Sequence, residues 1–174
     1  MCKVGGAPYA AHSQGCQYLY EASIQAGYQS RREQIVPELA TAACLSPQLD
    51  IEGWGLFGHA RLLIDFTIRH PLAERYTISS ATKTAAGEKA THYPRQQGLE
   101  VRTAAVEVYG KHGKDLQNLR EHLADLARQR ERSLGVAPTR WLRRWRVQLS
   151  SMLAHHVGRA VQQAILAQAT FRPA

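Results

Sequence analysis

The sequence predicts an α/β fold, in which a mixed central sheet of about four strands is flanked by helices and a long helix ends the chain. Short runs rich in Ile, Val and Leu are bounded by Gly and Pro, which is typical of strands. Segments with apolar residues at helical spacing precede, separate and follow these runs. The predicted order is therefore one helix, three strands, one helix, one strand and two helices.

The first half of the chain is predicted to hold one helix and three strands. Residues 1–11 are small and Gly-rich, which favours a loop, and apolar residues between His12 and Ala26 recur at helical spacing. Arg31–Val36 and Asp50–Trp54 are predicted as strands, the second leading into a Gly-rich hairpin turn. Arg61–Ile68 is the third, and its unbroken apolar character predicts burial on both faces.

The second half is predicted to be mainly helical. A helix is expected over residues 79–93, with Ser79 or Ser80 as its N-cap. Leu99–Val108 alternates enough to be the fourth strand. Lys114–Arg132 is an amphipathic helix with leucines on one side, and Thr139–Ala169 is a long helix.

Length and composition predict one domain covering residues 1–174, with an ordinary apolar fraction of 44%. We divide it into a glycine-rich lead (1–11), a core (12–109) and C-terminal helices (114–169). No apolar run approaches the roughly 18 residues of a membrane span, and the N-terminus lacks the apolar stretch of a signal peptide. The three cysteines are irregularly spaced, which argues against a secreted disulfide framework and predicts an intracellular location.

The charge of the chain favours a nucleic-acid partner. Net charge is +8, and most of the basic residues are Arg, whose planar fork suits phosphate. Arg140, Arg143, Arg144 and Arg146 fall on the last helix beside two tryptophans at i, i+4 spacing. We expect the tryptophans to pack inward and the four arginines to contact DNA phosphates.

An acidic residue, Asp65, stands at the centre of the third predicted strand. An ionised carboxylate in an apolar strand is costly unless a partner or a metal compensates it. A second acid, Asp50, heads the preceding strand, and Lys89 shares one helix face with Ala81 and Ala85. Because both alanines are small, that face can approach the sheet and bring Lys89 toward the aspartates.

These residue types suit metal-assisted cleavage of a phosphodiester. A hard cation such as Mg²⁺ takes oxygen ligands, which Asp50, Asp65 and the carbonyl of Phe66 would supply. The cation would activate a water and neutralise phosphate charge. Lys89 would orient the attacking water or stabilise the developing charge.

Several segments also carry a family resemblance, in the order in which the family has them. They are the glycine-rich lead Lys3–Pro8 with His12, the strand Glu33–Pro37, Leu49–Ile51, Asp65–Pro71, Glu88–Lys89 with Tyr93, and the Arg-rich Arg140–Arg146. Together they resemble the PD-(D/E)XK, or restriction-endonuclease-like, superfamily. Within it, the chain is most similar to the endonuclease domain at the C-terminal end of site-specific non-LTR retrotransposon polyproteins.

The resemblance implies a restriction-endonuclease-like three-layer core, with residues 12–109 as the catalytic core of a single nuclease-like domain. It implies a Mg²⁺- or Mn²⁺-dependent endodeoxyribonuclease that derives from a retroelement and works with a reverse transcriptase polypeptide. A nuclear location follows from that role. The superfamily's usual lysine position is Thr67 here, so the resemblance assigns the role to Lys89, with Lys83 in reserve.

Other residues have competing interpretations. Candidate accessory residues of the site are His12, Glu21, Glu33, Lys83 and Tyr93, although the two glutamates also fit a solvated surface. His12 and Cys16 at i, i+4 spacing would bind zinc with Cys2, but a fourth ligand is not evident. For the whole chain, the alternatives to a nuclease are an inactive nucleic-acid-binding module and a decayed mobile-element remnant.

Overall fold

The computed structural model describes residues 7–42, 44–55, 61–70, 80–93, 99–137 and 139–170. These residues form an α/β fold of four helices and a four-stranded sheet, together with a 3-10 turn at Pro37–Leu39. In chain order the elements are α1 (Ala7–Gln25), β1 (Tyr28–Ile35), β2 (Gln48–Gly55), β3 (Leu62–Arg69), α2 (Ala81–His92), β4 (Val101–Glu107), α3 (Lys114–Ser133) and α4 (Trp141–Thr170).

The predicted order of elements, the mixed sheet and the long last helix are confirmed, with element ends shifted by a few residues. The loop predicted for residues 1–11 is wrong from Ala7 onward, because α1 begins there; residues 1–6 lie outside the described part. Gly53 and Gly55 belong to β2 rather than to the predicted turn, and Gly58 lies outside the described residues.

The sheet has the strand order β1-β2-β3-β4. The pairs β1–β2 and β2–β3 are antiparallel, whereas β3 and β4 are parallel. A parallel pair needs a crossover connection, and α2 is the helix between these two strands. This connection lays α2 against β3 and β4.

Each face of the sheet has its own apolar core. Ile64 and Phe66 of β3 pack in a cluster with residues of α1, α3 and α4, while Leu63 packs with a smaller cluster that includes Leu49 and Tyr93. Side chains of a strand alternate between the two faces, so Asp65 shares the face of Leu63 and of α2. The prediction that this strand is buried on both faces is confirmed for Leu62–Phe66, whereas Thr67–Arg69 are half-buried.

Helix α1 approaches the sheet closely at Gly15. A Cβ atom added there would lie 2.1 Å from Cε1 of Phe66, far inside normal contact distance. The absent side chain therefore lets α1 rest directly on the Phe66 ring. This contact sets the position of the α1 side chains on either side of Gly15.

Helix α4 runs antiparallel along α1. The indole Nε1 of Trp145 donates to Oε1 of Gln25 at 3.1 Å, near the end of α1. Further along α4, Nε2 of His156 lies 3.0 Å from Oε1 of Gln14, near the start of α1. In the described part of the chain, no helix combines the length and the apolar character needed to cross a membrane.

Replacing Gly15 by Ala should lower the free energy of unfolding by about 1–3 kcal/mol, the usual cost of overpacking a core. The matched control is Gly158→Ala on α4, where an added Cβ meets no atom within 4 Å. That change should raise stability by about 0.5–1 kcal/mol through helix propensity. Urea denaturation followed by circular dichroism measures both, and equal effects of the two substitutions would contradict the close contact.

Candidate active site

Asp65 is a buried carboxylate held by one lysine. Asp65 lies at the middle of β3, and only 5% of its surface is exposed. Its Oδ2 accepts a hydrogen bond from Nζ of Lys89 at 2.6 Å. Burial raises the pKa of Asp65, and the charge and hydrogen bond of Lys89 oppose that rise without cancelling it. The nearby Asp50 adds to the rise, while a hydrogen bond with Tyr93 lowers it. The folded protein therefore holds an incompletely compensated negative charge here.

Lys89 reaches Asp65 because of the sequence of α2. Ser80 caps the helix by accepting from the backbone N–H of Lys83 at 3.3 Å. Ala81 and Ala85 are buried, as expected for a face of small residues that packs closely on the sheet. Lys89 continues this face one turn later, and 27% of its side chain remains exposed. Its ammonium thus contacts Asp65 and still reaches solvent.

Asp50 lies where β2 and β3 separate. The paired residues of these strands end at Ile51 opposite Ile64, so Asp50 would be next in register with Asp65. Instead of continuing the ladder, Oδ2 of Asp50 accepts the backbone N–H of Phe66 at 2.6 Å. This side-chain bond replaces a ladder bond and fixes the Asp50 carboxylate beside the residue that follows Asp65.

The backbone of the neighbouring strand is irregular at the same level. Glu33 of β1 has φ 53°, the left-handed conformation that few non-glycine residues adopt. The register pairs Arg32 with Ile51 and Gln34 with Leu49, so Glu33 falls opposite Asp50. Such strained residues cluster at functional sites, and here the strain lies next to a candidate site residue.

His12 joins Asp50 from the α1 side. Its Nε2 lies 3.5 Å from Oδ2 of Asp50 and 3.0 Å from the carbonyl oxygen of Phe66. The hydrogen bond with Asp50 is the main cause that raises the pKa of His12, and burial opposes it. The Sγ of Cys16, one turn along α1, lies 3.6 Å from Nδ1 of the same ring.

The carboxylates of Asp50 and Asp65 raise the pKa values of the same neighbouring groups. Asp50 and Asp65 both raise the pKa of His12, although Asp50 contributes more. Burial is the largest cause that raises the pKa of Tyr93, followed by Asp65, with Asp50 contributing less. Two negative charges therefore act on one small region, which favours a cation between α1, β3 and α2.

The other candidate accessory residues lie elsewhere or at the margin. Glu21 is exposed and accepts a hydrogen bond from Gln17, and Glu33 is exposed beside Arg32. Lys83 is exposed in the first turn of α2. Within the described residues, no hydrogen bond or ion pair joins these three side chains to the aspartates. Tyr93 lies at the edge of the site, with Nζ of Lys89 5.7 Å from its ring centre.

Arg143, Arg144 and Arg146 at the start of α4 are exposed, as is Arg140 directly before this helix. The rings of Trp141 and Trp145 lie 5.3 Å apart, and Trp145 is buried. Arg140 and Arg143 border a shallow depression of about 340 Å³ with Arg144, Thr139, Val147 and Gln148. Trp145 contacts Gln25, so the Arg-rich start of α4 lies beside the C-terminal end of α1. His12 lies near the opposite end of α1. At 1.5 Å per helical residue, the two ends are roughly 20 Å apart.

A further buried acid was not predicted. Glu52 of β2 is 4% exposed and accepts from Nε of Arg61 at 2.5 Å, while Arg61 also donates to Glu38 at 2.7 Å. An arginine just before β3 was the available sequence signal. Glu52 and Asp65 are thus both buried acids that pair with a partly solvated cation, a guanidinium for Glu52 and an ammonium for Asp65.

Comparisons with known proteins add no family to this picture. No protein-family model matches the chain, and no curated protein matches its sequence.

Asp65→Asn should raise the free energy of unfolding at pH 7 by about 1 kcal/mol, because the buried charge is removed while the shape is kept. Below the ordinary carboxyl pKa, Asp65 is protonated in both states and costs nothing. The raised folded-state pKa means that Asp65 ionises more easily in the unfolded chain. The wild type therefore loses stability as the pH rises through this pKa, whereas the Asn variant does not.

Urea denaturation of both proteins at pH 7 and near pH 4 measures this difference, which should shrink at the lower pH. Asp125→Asn, at an exposed surface ion pair with Arg128, is the matched control and should change little. A large loss of stability in Asp65→Asn at pH 7 would identify a purely structural ion pair.

Proposed function

We propose that the protein is a metal-dependent DNA endonuclease domain that hydrolyses phosphodiester bonds. The observation that carries the proposal is the buried Asp65, hydrogen-bonded to the partly solvated Lys89, with Asp50 fixed beside it through the Phe66 amide. A carboxylate buried at a cost, with a solvated ammonium on it, is typical of a functional site.

The proposal includes a restriction-endonuclease-like core. The order α1-β1-β2-β3-α2-β4 supports it. Strands β1, β2 and β3 form an antiparallel meander, and α2 then connects β3 to the parallel strand β4. Origin from a retroelement, cooperation with a reverse transcriptase polypeptide and a nuclear location belong to the same proposal. They rest on the sequence resemblance alone.

The donor set fits Mg²⁺ or Mn²⁺. Asp50 and Asp65 offer carboxylate oxygens, and Phe66, whose backbone N–H donates to Asp50, offers its carbonyl oxygen. Hard cations take such oxygen ligands, and the raised pKa of His12 reflects the negative potential that attracts them. When bound, the metal would lower the pKa of a water and neutralise charge on the phosphate.

Lys89 has hydrogen-bonding capacity left for the substrate. An ammonium has three N–H donors, and the bond to Asp65 uses one of them. The remaining donors would hold a phosphate oxygen or orient the attacking water. Asp65 holds the Lys89 ammonium in position through this hydrogen bond, so the lysine would need no rearrangement when charge develops on the phosphate.

The arginines of α4 would bind DNA away from the point of cleavage. Their separation of roughly 20 Å from His12, along α1, corresponds to about six base pairs of duplex. Contacts there would position the duplex without contributing to the chemistry. One DNA molecule would thus lie along the α1–α4 pair.

The cleavage prediction is that the protein nicks supercoiled plasmid with Mg²⁺ or Mn²⁺. Asp65→Asn, Asp50→Asn and Lys89→Ala should each lower the rate by about 100-fold or more, since each removes a charge from the reacting centre. Lys83→Ala, on the same helix, should keep wild-type activity. Nicking that persists in Asp65→Asn would come from a contaminant and end the proposal for this site.

The binding prediction separates the arginines from the reacting centre. Arg140→Gln with Arg143→Gln should weaken binding to duplex DNA and reduce the salt dependence by about 0.9 in log–log slope for each lost phosphate contact. The charge-matched control is Arg31→Gln with Arg128→Gln, on β1 and α3. Fluorescence anisotropy at several salt concentrations measures both, and equal losses would contradict a specific role of α4.

One observation favours an inactive nucleic-acid-binding module as the second candidate. Nζ of Lys89 already binds Asp65, and Nε2 of His12 already binds the Phe66 carbonyl oxygen. In such a network the proposed metal ligands serve as hydrogen-bond acceptors for protein groups. This alternative predicts salt-dependent DNA binding through α4 and no nicking with either metal. The two experiments above distinguish it from the endonuclease.

A further inference from the structure

Three side chains of different chemistry meet on the α1 side of Asp50. The imidazole of His12, the thiol of Cys16 and the carboxylate of Asp50 each place a ligand atom within 4.8 Å of the other two. Mg²⁺ takes oxygen ligands, whereas nitrogen and sulfur donors suit Zn²⁺ and related ions. These nitrogen and sulfur donors therefore differ in chemistry from the donors of the proposed endonuclease site, with which this cluster shares Asp50 and the neighbouring Phe66 carbonyl.

The separations are close to those of a zinc site. With Zn–N of about 2.0 Å and Zn–S of about 2.3 Å, tetrahedral geometry places donor atoms about 3.3–3.5 Å apart. Nε2 of His12 lies 3.5 Å from Oδ2 of Asp50, and Sγ of Cys16 lies 3.6 Å from Nδ1 and 3.8 Å from Nε2 of the same ring. The Cys16 side chain would therefore rotate slightly to bring Sγ to an ion bound at Nε2. The carbonyl oxygen of Phe66, 3.0 Å from the same nitrogen, is a fourth donor at this point.

The surrounding structure already holds these groups in place. His12 and Cys16 lie one turn apart on α1, which Gly15 seats against the Phe66 ring. The backbone N–H of Phe66 orients the Asp50 carboxylate at 2.6 Å, as outer hydrogen bonds orient metal ligands.

We propose that His12, Cys16 and Asp50 bind Zn²⁺, with the carbonyl oxygen of Phe66 as the fourth ligand. Binding itself does not depend on the proposed endonuclease function. One consequence does rest on it: Zn²⁺ held by Asp50 would withhold this carboxylate from Mg²⁺. Zinc would then inhibit cleavage.

Cobalt(II) is the probe, because a thiolate bound to Co²⁺ gives a charge-transfer absorption that reports the sulfur ligand directly. In a Cys2→Ser, Cys44→Ser background, Cys16 is the one remaining thiol of the chain. Adding Co²⁺ should produce the band, and Zn²⁺ should abolish it. Cys16→Ser should remove the band, while His12→Gln and Asp50→Asn should weaken Co²⁺ binding about tenfold or more.

The control is His155→Gln, an exposed histidine of α4, which should bind Co²⁺ like the background protein. Circular dichroism establishes that each variant is folded. A folded background protein without a charge-transfer band overturns the zinc site, as does a band that His12→Gln and Asp50→Asn leave unchanged. A cobalt band in a protein that cuts no DNA would leave the zinc site standing while the endonuclease proposal fails.

Discussion

The contact between Asp65 and Lys89 is the interaction that positions the charged groups on this face of the sheet. A carboxylate at the centre of a buried strand is stable only if a cation reaches it. The parallel crossover from β3 to β4 places α2 over this strand, and the small side chains of Ala81 and Ala85 allow the helix to come close. Lys89 then lies at bonding distance while part of its side chain stays in solvent.

Helix α1 completes the site from the opposite side of the strand. Because Gly15 has no side chain, the helix packs directly on the Phe66 ring. His12 thereby reaches both Asp50 and the Phe66 carbonyl. Phe66 has two roles in consequence. Its ring anchors the helix in the apolar core, and its amide and carbonyl groups hold the polar side chains of the site.

The local part of this structure could be predicted from sequence, and the long-range part could not. An apolar strand around Asp65, and two alanines in register with Lys89, were enough to anticipate that these side chains face each other. Three features depend on how separate segments meet, which no local pattern encodes. They are the bond from the Phe66 amide to Asp50, the close contact of Gly15 with the Phe66 ring, and the strained backbone of Glu33. The distance between the α4 arginines and His12 follows from helix packing in the same way.

The strained residue on β1 has a consequence beyond the site. This strand is at the edge of the sheet, where unpaired backbone groups would otherwise offer a template to another extended chain. The left-handed turn of the backbone at Glu33 interrupts that row of groups, and the charged Arg31 and Glu33 point outward beside it. The β1 edge of the sheet is thereby a poor surface for strand addition, which disfavours edge-to-edge aggregation through this strand.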